Sequence, residues 1–256
     1  MIFAHQYNPT KANFKKIWIF APQIRIMKQF VISAVIAVLL VGCAGNGNEA
    51  LRVEGQVKGL KKGTLYLQQV QDTVLVTLDS VAIGPEGSFE LNAQIEEPDL
   101  FYVYLSKADN NDLNDRIAFF AAPGLINIQT RWNAFDSDAE ITGSELHEKF
   151  QEYRNNQSRF HVQELEVAQT MSGLSLPEDQ SKMDSLETVL NRVGLRSYLY
   201  SLNFALNNRD SQLAPFIACT EVADANPKYL DSIYNVLSPE VAASKYGKRL
   251  KEILKK

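Results

Sequence analysis

Two rhythms divide the chain. From Leu51 onward apolar residues recur at every second position: Leu51, Val53 and Val57 share a face with Gly55, and Leu65 and Leu67 open a second run beyond Gly59 and Gly63. That alternation predicts half-buried strands, because successive side chains leave opposite faces of a pleat. Thr73–Ile83, rich in Val, Leu and Thr, predicts one strand with a bend. After the turn residues Pro85-Glu86-Gly87, Phe89, Leu91, Ala93 and Ile95 alternate without a slip with Ser88, Glu90, Asn92 and Gln94. Leu100–Leu105 is continuously apolar and predicts a strand covered on both sides. Arg116–Ala121 and Leu125–Arg131 read as a hairpin across Pro123-Gly124, and a last short strand ends near Ile141. Seven or eight short strands with turn signals every ~8–12 residues imply antiparallel pairing in a sandwich or open barrel.

At Gly143 the period lengthens. Leu146, Phe150, Tyr153, Phe160 and Leu165 fall at helical spacing and predict a long helix over Ser144–Thr170, broken at Met171-Ser-Gly-Leu174. Ser175 and Glu178 form a capping-box pattern ahead of a helix carried by Met183, Leu186, Leu190 and Val193. Tyr198–Leu206 is apolar nearly all round and is expected to be the buried helix of this half. Asn226-Pro227 and Ser238-Pro239 each place a cap residue before a first-turn proline, starting the last two helices. The fold class is therefore α+β: an N-terminal antiparallel β-sandwich or open barrel over 51–143, then an all-α helical region over 144–256.

A third pattern precedes the strands. Lys28 leads into the apolar run Phe30–Val41, followed by Gly42 and Cys43. A basic start, a short apolar stretch and a small residue are the layout of an export signal. Twelve residues at 1.5 Å each reach only about 18 Å, short of the roughly 30 Å of a bilayer's hydrocarbon. Leu40-Val41-Gly42-Cys43 resembles the lipobox of bacterial lipoproteins, in which the cysteine is lipidated and becomes the first residue. The expected organisation is a signal peptide over 1–42, with translation starting at Met27 and 1–26 an upstream artefact, then a lipidated tether over 43–50. Ala44 after the cysteine, rather than Asp, points to the outer membrane, and a following segment whose one acid is Glu49 lacks an acidic surface-export signal, which favours the periplasmic face.

Charge and cysteine count sharpen this picture. The whole chain carries 26 Lys and Arg against 30 Asp and Glu, and five of the basic residues but none of the acidic ones precede Cys43. The remaining body, at about −9, argues against nucleic acid as a partner. Cys219, alone in an apolar helical stretch, has no partner for a disulfide and is expected to be buried and unreactive.

Candidate chemistry is sparse. His147 and His161 lie fourteen positions apart on one helix, about 21 Å, too far to share a metal, and both are expected at the surface. Asp109–Asp115 is dense in oxygen ligands, but Leu113, Asn114 and Phe120 stand where a calcium loop needs an oxygen ligand, glycine and glutamate, so a solvated loop is expected. No Gly-x-Ser-x-Gly occurs, Gly84–Gly87 and Gly55–Gly59 lack the context of phosphate loops, and Glu96-Glu97 or Asp136 with Asp138 nominate no acid pair. The sequence thus names no catalytic residue, no metal site and no cofactor.

The runs Val53-Glu-Gly-Gln-Val-Lys-Gly59, Gly63-Thr-Leu-Tyr-Leu67, Leu78-Asp-Ser-Val81 and Gly87-Ser-Phe-Glu-Leu91, with Pro123-Gly-Leu-Ile126 and Ile141-Thr-Gly-Ser144, resemble family 4369 of the domains of unknown function. The resemblance implies a β domain of exported lipoproteins, often followed by a helical segment and then a thioredoxin-like domain of thiol-disulfide interchange. Ser238-Pro-Glu-Val241 and Tyr246-Gly-Lys-Arg-Leu250 resemble the helical connector more loosely. No Cys-x-x-Cys occurs in this chain, and the chain ends where the thioredoxin-like domain would be expected. The expectation is a non-catalytic lipoprotein held to the membrane by its lipid, with a binding or structural role toward an unidentified protein or small ligand. The alternative is an accessory or N-terminal part of a thiol-disulfide oxidoreductase.

Overall fold

Strands come first and helices second, in one compact unit from Asn48 onward; the computed structural model describes residues 49–107 and 116–255. The eight strands are β1 (Glu49–Lys58), β2 (Gly63–Gln71), β3 (Val74–Ile83), β4 (Ser88–Ile95), β5 (Asp99–Ser106), β6 (Arg116–Ala121), β7 (Gly124–Arg131) and β8 (Glu140–Thr142). They form two four-stranded sheets, ordered β4-β1-β7-β8 and β3-β2-β5-β6. Leu51, Val53 and Leu91 of the first sheet and Leu65, Phe101 and Phe119 of the second meet in one buried apolar core, which makes the pair a sandwich.

Two connections differ from the sequence reading. The turn at Pro123-Gly124 is no hairpin: β6 pairs with β5 in one sheet, and β7 pairs with β1 in the other. Proline and glycine here carry the chain from sheet to sheet. The β1–β7 pairing is also parallel, the one departure from antiparallel pairing among the described strands. Gly55 permits it, since a Cβ there would lie 1.8 Å from the Ile128 carbonyl oxygen. The bend expected in Thr73–Ile83 is present: Leu67 faces Asp79 while Gln68 faces Thr77, so Leu78 is a bulge residue.

The helices are α1 (Glu145–Ser172), α2 (Gln180–Asn207), α3 (Leu213–Thr220), α4 (Pro227–Val236), α5 (Pro239–Ala243) and α6 (Lys245–Leu254). Ser144 caps α1 by accepting from the His147 amide at 3.0 Å. Asn226 caps α4 and Ser238 caps α5 as read from the sequence. The expected last helix is divided at Ser244, which caps α6 through the Gly247 amide. The Ser175–Glu178 box does not form. Asp179 occupies the cap position, and its carboxylate turns back to the Ser175 amide instead.

Burial also shifts. The most enclosed helix is α3, every residue of which from Leu213 to Cys219 is buried, whereas Leu199 in Tyr198–Leu206 stands 43% exposed. The strand covered on both faces is the end of β6 rather than β5. Phe119 points into the sandwich and Phe120 points outward against Phe150 and Phe216, at 5.9 and 5.1 Å between ring centres. The outer face of β5 is only half covered, with Tyr104 against Tyr66 and Arg116 over the Tyr102 and Tyr104 rings.

Helices α1 and α2 pair along a seam in three-and-four spacing. The buried or half-buried positions in this spacing are Phe150, Tyr153, Gln157, Phe160, Glu164, Val167 and Met171 on α1, and Met183, Leu186, Leu190, Val193, Ser197, Tyr200 and Phe204 on α2. Near the sandwich the seam is aromatic, with Tyr153 4.9 Å from Phe204 and 5.6 Å from Tyr200 between ring centres. Past Gln157 in α1 and before Val193 in α2 no residue is fully buried, so the far half of this hairpin packs only on itself.

Candidate functional site

The most concentrated polar chemistry lies where the sandwich meets the helices. Asp99 opens β5 on the inward-facing side of the alternation that continues through Phe101, Val103 and Leu105, so its carboxylate enters the end of the core, 2% exposed. A buried carboxylate must be hydrogen-bonded and paired. Asp99 accepts from Gln69 Nε2 at 2.8 Å, from its neighbour's Leu100 amide at 2.7 Å, and by short contacts from Lys245 Nζ and the Tyr246 hydroxyl. Lys245 is the first residue of α6. Its amide donates to Glu97 Oε2 at 2.8 Å, placing an anion at a helix start, and its Nζ also reaches the Val70 carbonyl at 3.3 Å. Burial, then Asp99, pushes the Tyr246 hydroxyl well above the ordinary phenol range, so it stays a donor. This clasp ties strand ends to helix residues nearly 150 positions away.

A second polar cluster sits inside the α1–α2 seam. Gln157 Nε2 donates to the Tyr153 hydroxyl at 2.8 Å and to Ser201 Oγ, and Ser197 Oγ donates to Gln157 Oε1 at 2.7 Å. Burial raises Tyr153 to about 12. A cleft of about 450 Å³ opens between the sandwich rim at Pro123-Gly124 and the starts of α1 and α3; Gln212 lines it, its Oε1 buried and without a partner.

The histidines part ways. His161 is exposed and faces Glu164 at 3.4 Å. His147 corrects the expectation of a surface residue. It is 5% exposed beside Phe150, with Nδ1 unpartnered, and burial, helped by Arg154, lowers its pKa to about 4. Cys219 is buried as expected: its thiol faces the Tyr246 carbonyl at 3.6 Å, and burial raises its pKa to about 12. Each of these buried groups is pushed toward its neutral form and away from titration near pH 7, which suits packing better than proton transfer.

Of the acid pairs in the sequence, Glu97 serves the clasp and Asp138 pairs with Arg131. Cys43 and the Asp109–Asp115 loop lie outside the described residues. Sequence reasoning missed the clasp altogether. The one local sign was a charged residue at the head of an apolar run, Asp99 before Leu100–Leu105.

Residues 51–150, the sandwich and the first turns of α1, match the family described as Domain of unknown function (DUF4369). The match reaches Phe150, whose ring packs on Phe120 of β6. No curated protein and no solved structure matches the chain.

Proposed function

We propose that this carrier of a DUF4369 domain is a non-catalytic lipoprotein, held by acyl chains on Cys43 at the periplasmic face of the outer membrane. The observation that carries the reading is the Met27–Cys43 stretch: a basic start, twelve largely apolar residues, a small residue and a cysteine. The body supports a binding or structural role through its build. A sandwich is strapped by a buried carboxylate to helices, two of which extend as a half-open hairpin that offers surface to a partner. The partner is a protein or small ligand, with nucleic acid disfavoured by the acidic body.

Replacing Cys43→Ala is expected to move the protein from membrane to soluble fractions, and intact mass of the native protein is expected to show an acylated chain starting at Cys43. A Cys43→Ala protein that stays in the membrane pellet overturns the reading.

A second reading, which rests on the resemblance of the strand motifs and not on any residue of this body, makes the chain an accessory or truncated N-terminal part of a thiol-disulfide oxidoreductase. Genomic sequence downstream that encodes a Trp-Cys-x-x-Cys segment, in frame or frameshifted, would support it.

A further inference from the structure

Strand polarity gathers several segments at one end of the sandwich. β1 begins there, with Glu49 paired to Ile95, the last residue of β4. The turn between β2 and β3 lies at the same end, because Gln69 pairs with Phe101 at the start of β5. Gln71 and Asp72 of that turn and Gln94 and Ile95 of β4 line one recess of about 540 Å³, so the turn is a close neighbour of the point where the chain enters the fold.

This turn is tipped with apolar side chains that the fold leaves bare. Val74 is 62% exposed; Val70 and Leu75, directly opposed across the hairpin, are 38% and 39% exposed. Leu125, at the start of β7 and paired with Arg52 of β1, is 49% exposed at the same end. Only five residues lie between Cys43 and Glu49, six steps along the chain that reach at most about 20 Å even when fully extended.

We propose that the β2–β3 turn, through Val70, Val74 and Leu75, rests on the bilayer and fixes which end of the sandwich faces it. The inference rests on the lipid-anchor reading and adds a second, non-covalent contact to it. A tether this short holds this end within reach of the headgroups at all times, which is the argument for a lipid surface over any other occupant. Apolar side chains gain by settling at the boundary between headgroups and acyl chains. The carboxylates of Asp72, Glu96 and Glu97 outnumber the one cation of this recess among the described residues, Lys245, whose charge is already paired with Asp99. That makes zwitterionic headgroups the fitting surface and anionic ones repulsive. The opposite end, with Lys58, Lys61 and Lys62 around the β1–β2 turn, then points away from the membrane.

The test uses the acylated full chain in zwitterionic vesicles, with a nitroxide attached at Thr73→Cys or, at the far end, Lys61→Cys; buried Cys219 escapes labelling. Collision with dissolved oxygen is compared with collision with a water-soluble nickel chelate. At position 73 the oxygen-to-nickel ratio is expected to exceed that at 61 several-fold, and Val70→Ser, Val74→Ser and Leu75→Ser together are expected to abolish the difference while the protein still sediments with vesicles. Equal ratios at 73 and 61 in an acylated, vesicle-bound protein overturn the contact and leave the anchor standing. A chain without acyl mass that stays in solution overturns both.

Discussion

The sandwich and the α1–α2 hairpin solve the same problem with opposite economies. The sandwich encloses Phe101, Phe119, Leu51 and Leu91 with almost no exposed area, in a core fed from both sheets. The hairpin holds itself together along a single seam that contains Gln157, Glu164 and Ser197 as well as apolar residues, and in its far half no side chain is fully covered. Burial from two sides lets each apolar side chain contribute fully, whereas a two-helix seam leaves one flank wet. Local opening should therefore begin at the hairpin's far end and reach the sandwich last.

Phe101→Ala in the sandwich should cost the most, about 4 kcal/mol, read by urea denaturation. Asp99→Ala strips four donors of their acceptor at the junction and should cost about 3 kcal/mol. It should also split a single unfolding transition in two as helices and sandwich lose their clasp; one unchanged cooperative transition would mean the aromatic contacts of Phe120, Phe150 and Phe216 suffice alone.

His147 gives the comparison a pH axis. Its folded pKa of about 4 lies below the unfolded value of 6.5, so between those values the unfolded chain binds more protons. Stability is full above pH 6.5 and falls as the pH drops toward 4, by about 3 kcal/mol from this group. Comparing denaturation from pH 7 to 4 in the native protein and in His147→Phe isolates it: the variant should lose much of the slope. Smallest is Leu190→Ala in the far seam, about 1 kcal/mol because the side chain is already part wet. A loss equal to that of Phe101→Ala would erase the distinction between the two regions.

Local pattern was legible wherever one face met one core. The unbroken alternation of Phe89–Ile95 became β4, and the cap prolines at 227 and 239 began helices. What escaped depends on partners far along the chain. Pro123-Gly124 has hairpin chemistry, yet the side of the sandwich to which β7 returns is set by Gly55 and Ile128. Tyr198–Leu206 is as greasy as α3, but only α3 lies between sheet, seam and C-terminal helices. His147 reads as polar on a helix surface, and the β8 edge and Phe150 enclose it. Asp99 finds Lys245 and Tyr246 across 146 and 147 positions, a pairing no short window contains.

The first strand of the fold is also an interior one. Val53 is flanked by Leu91 on one side and Ile126 on the other, 38 and 73 residues downstream. A chain emerging amino end first therefore carries β1 with both edges bare until β4 has followed and with one edge bare until β7 has, and only then can the first sheet close. Early assembly must start in the β2–β3 hairpin, whose partners are sequential, while the strand nearest the tether waits longest for its place.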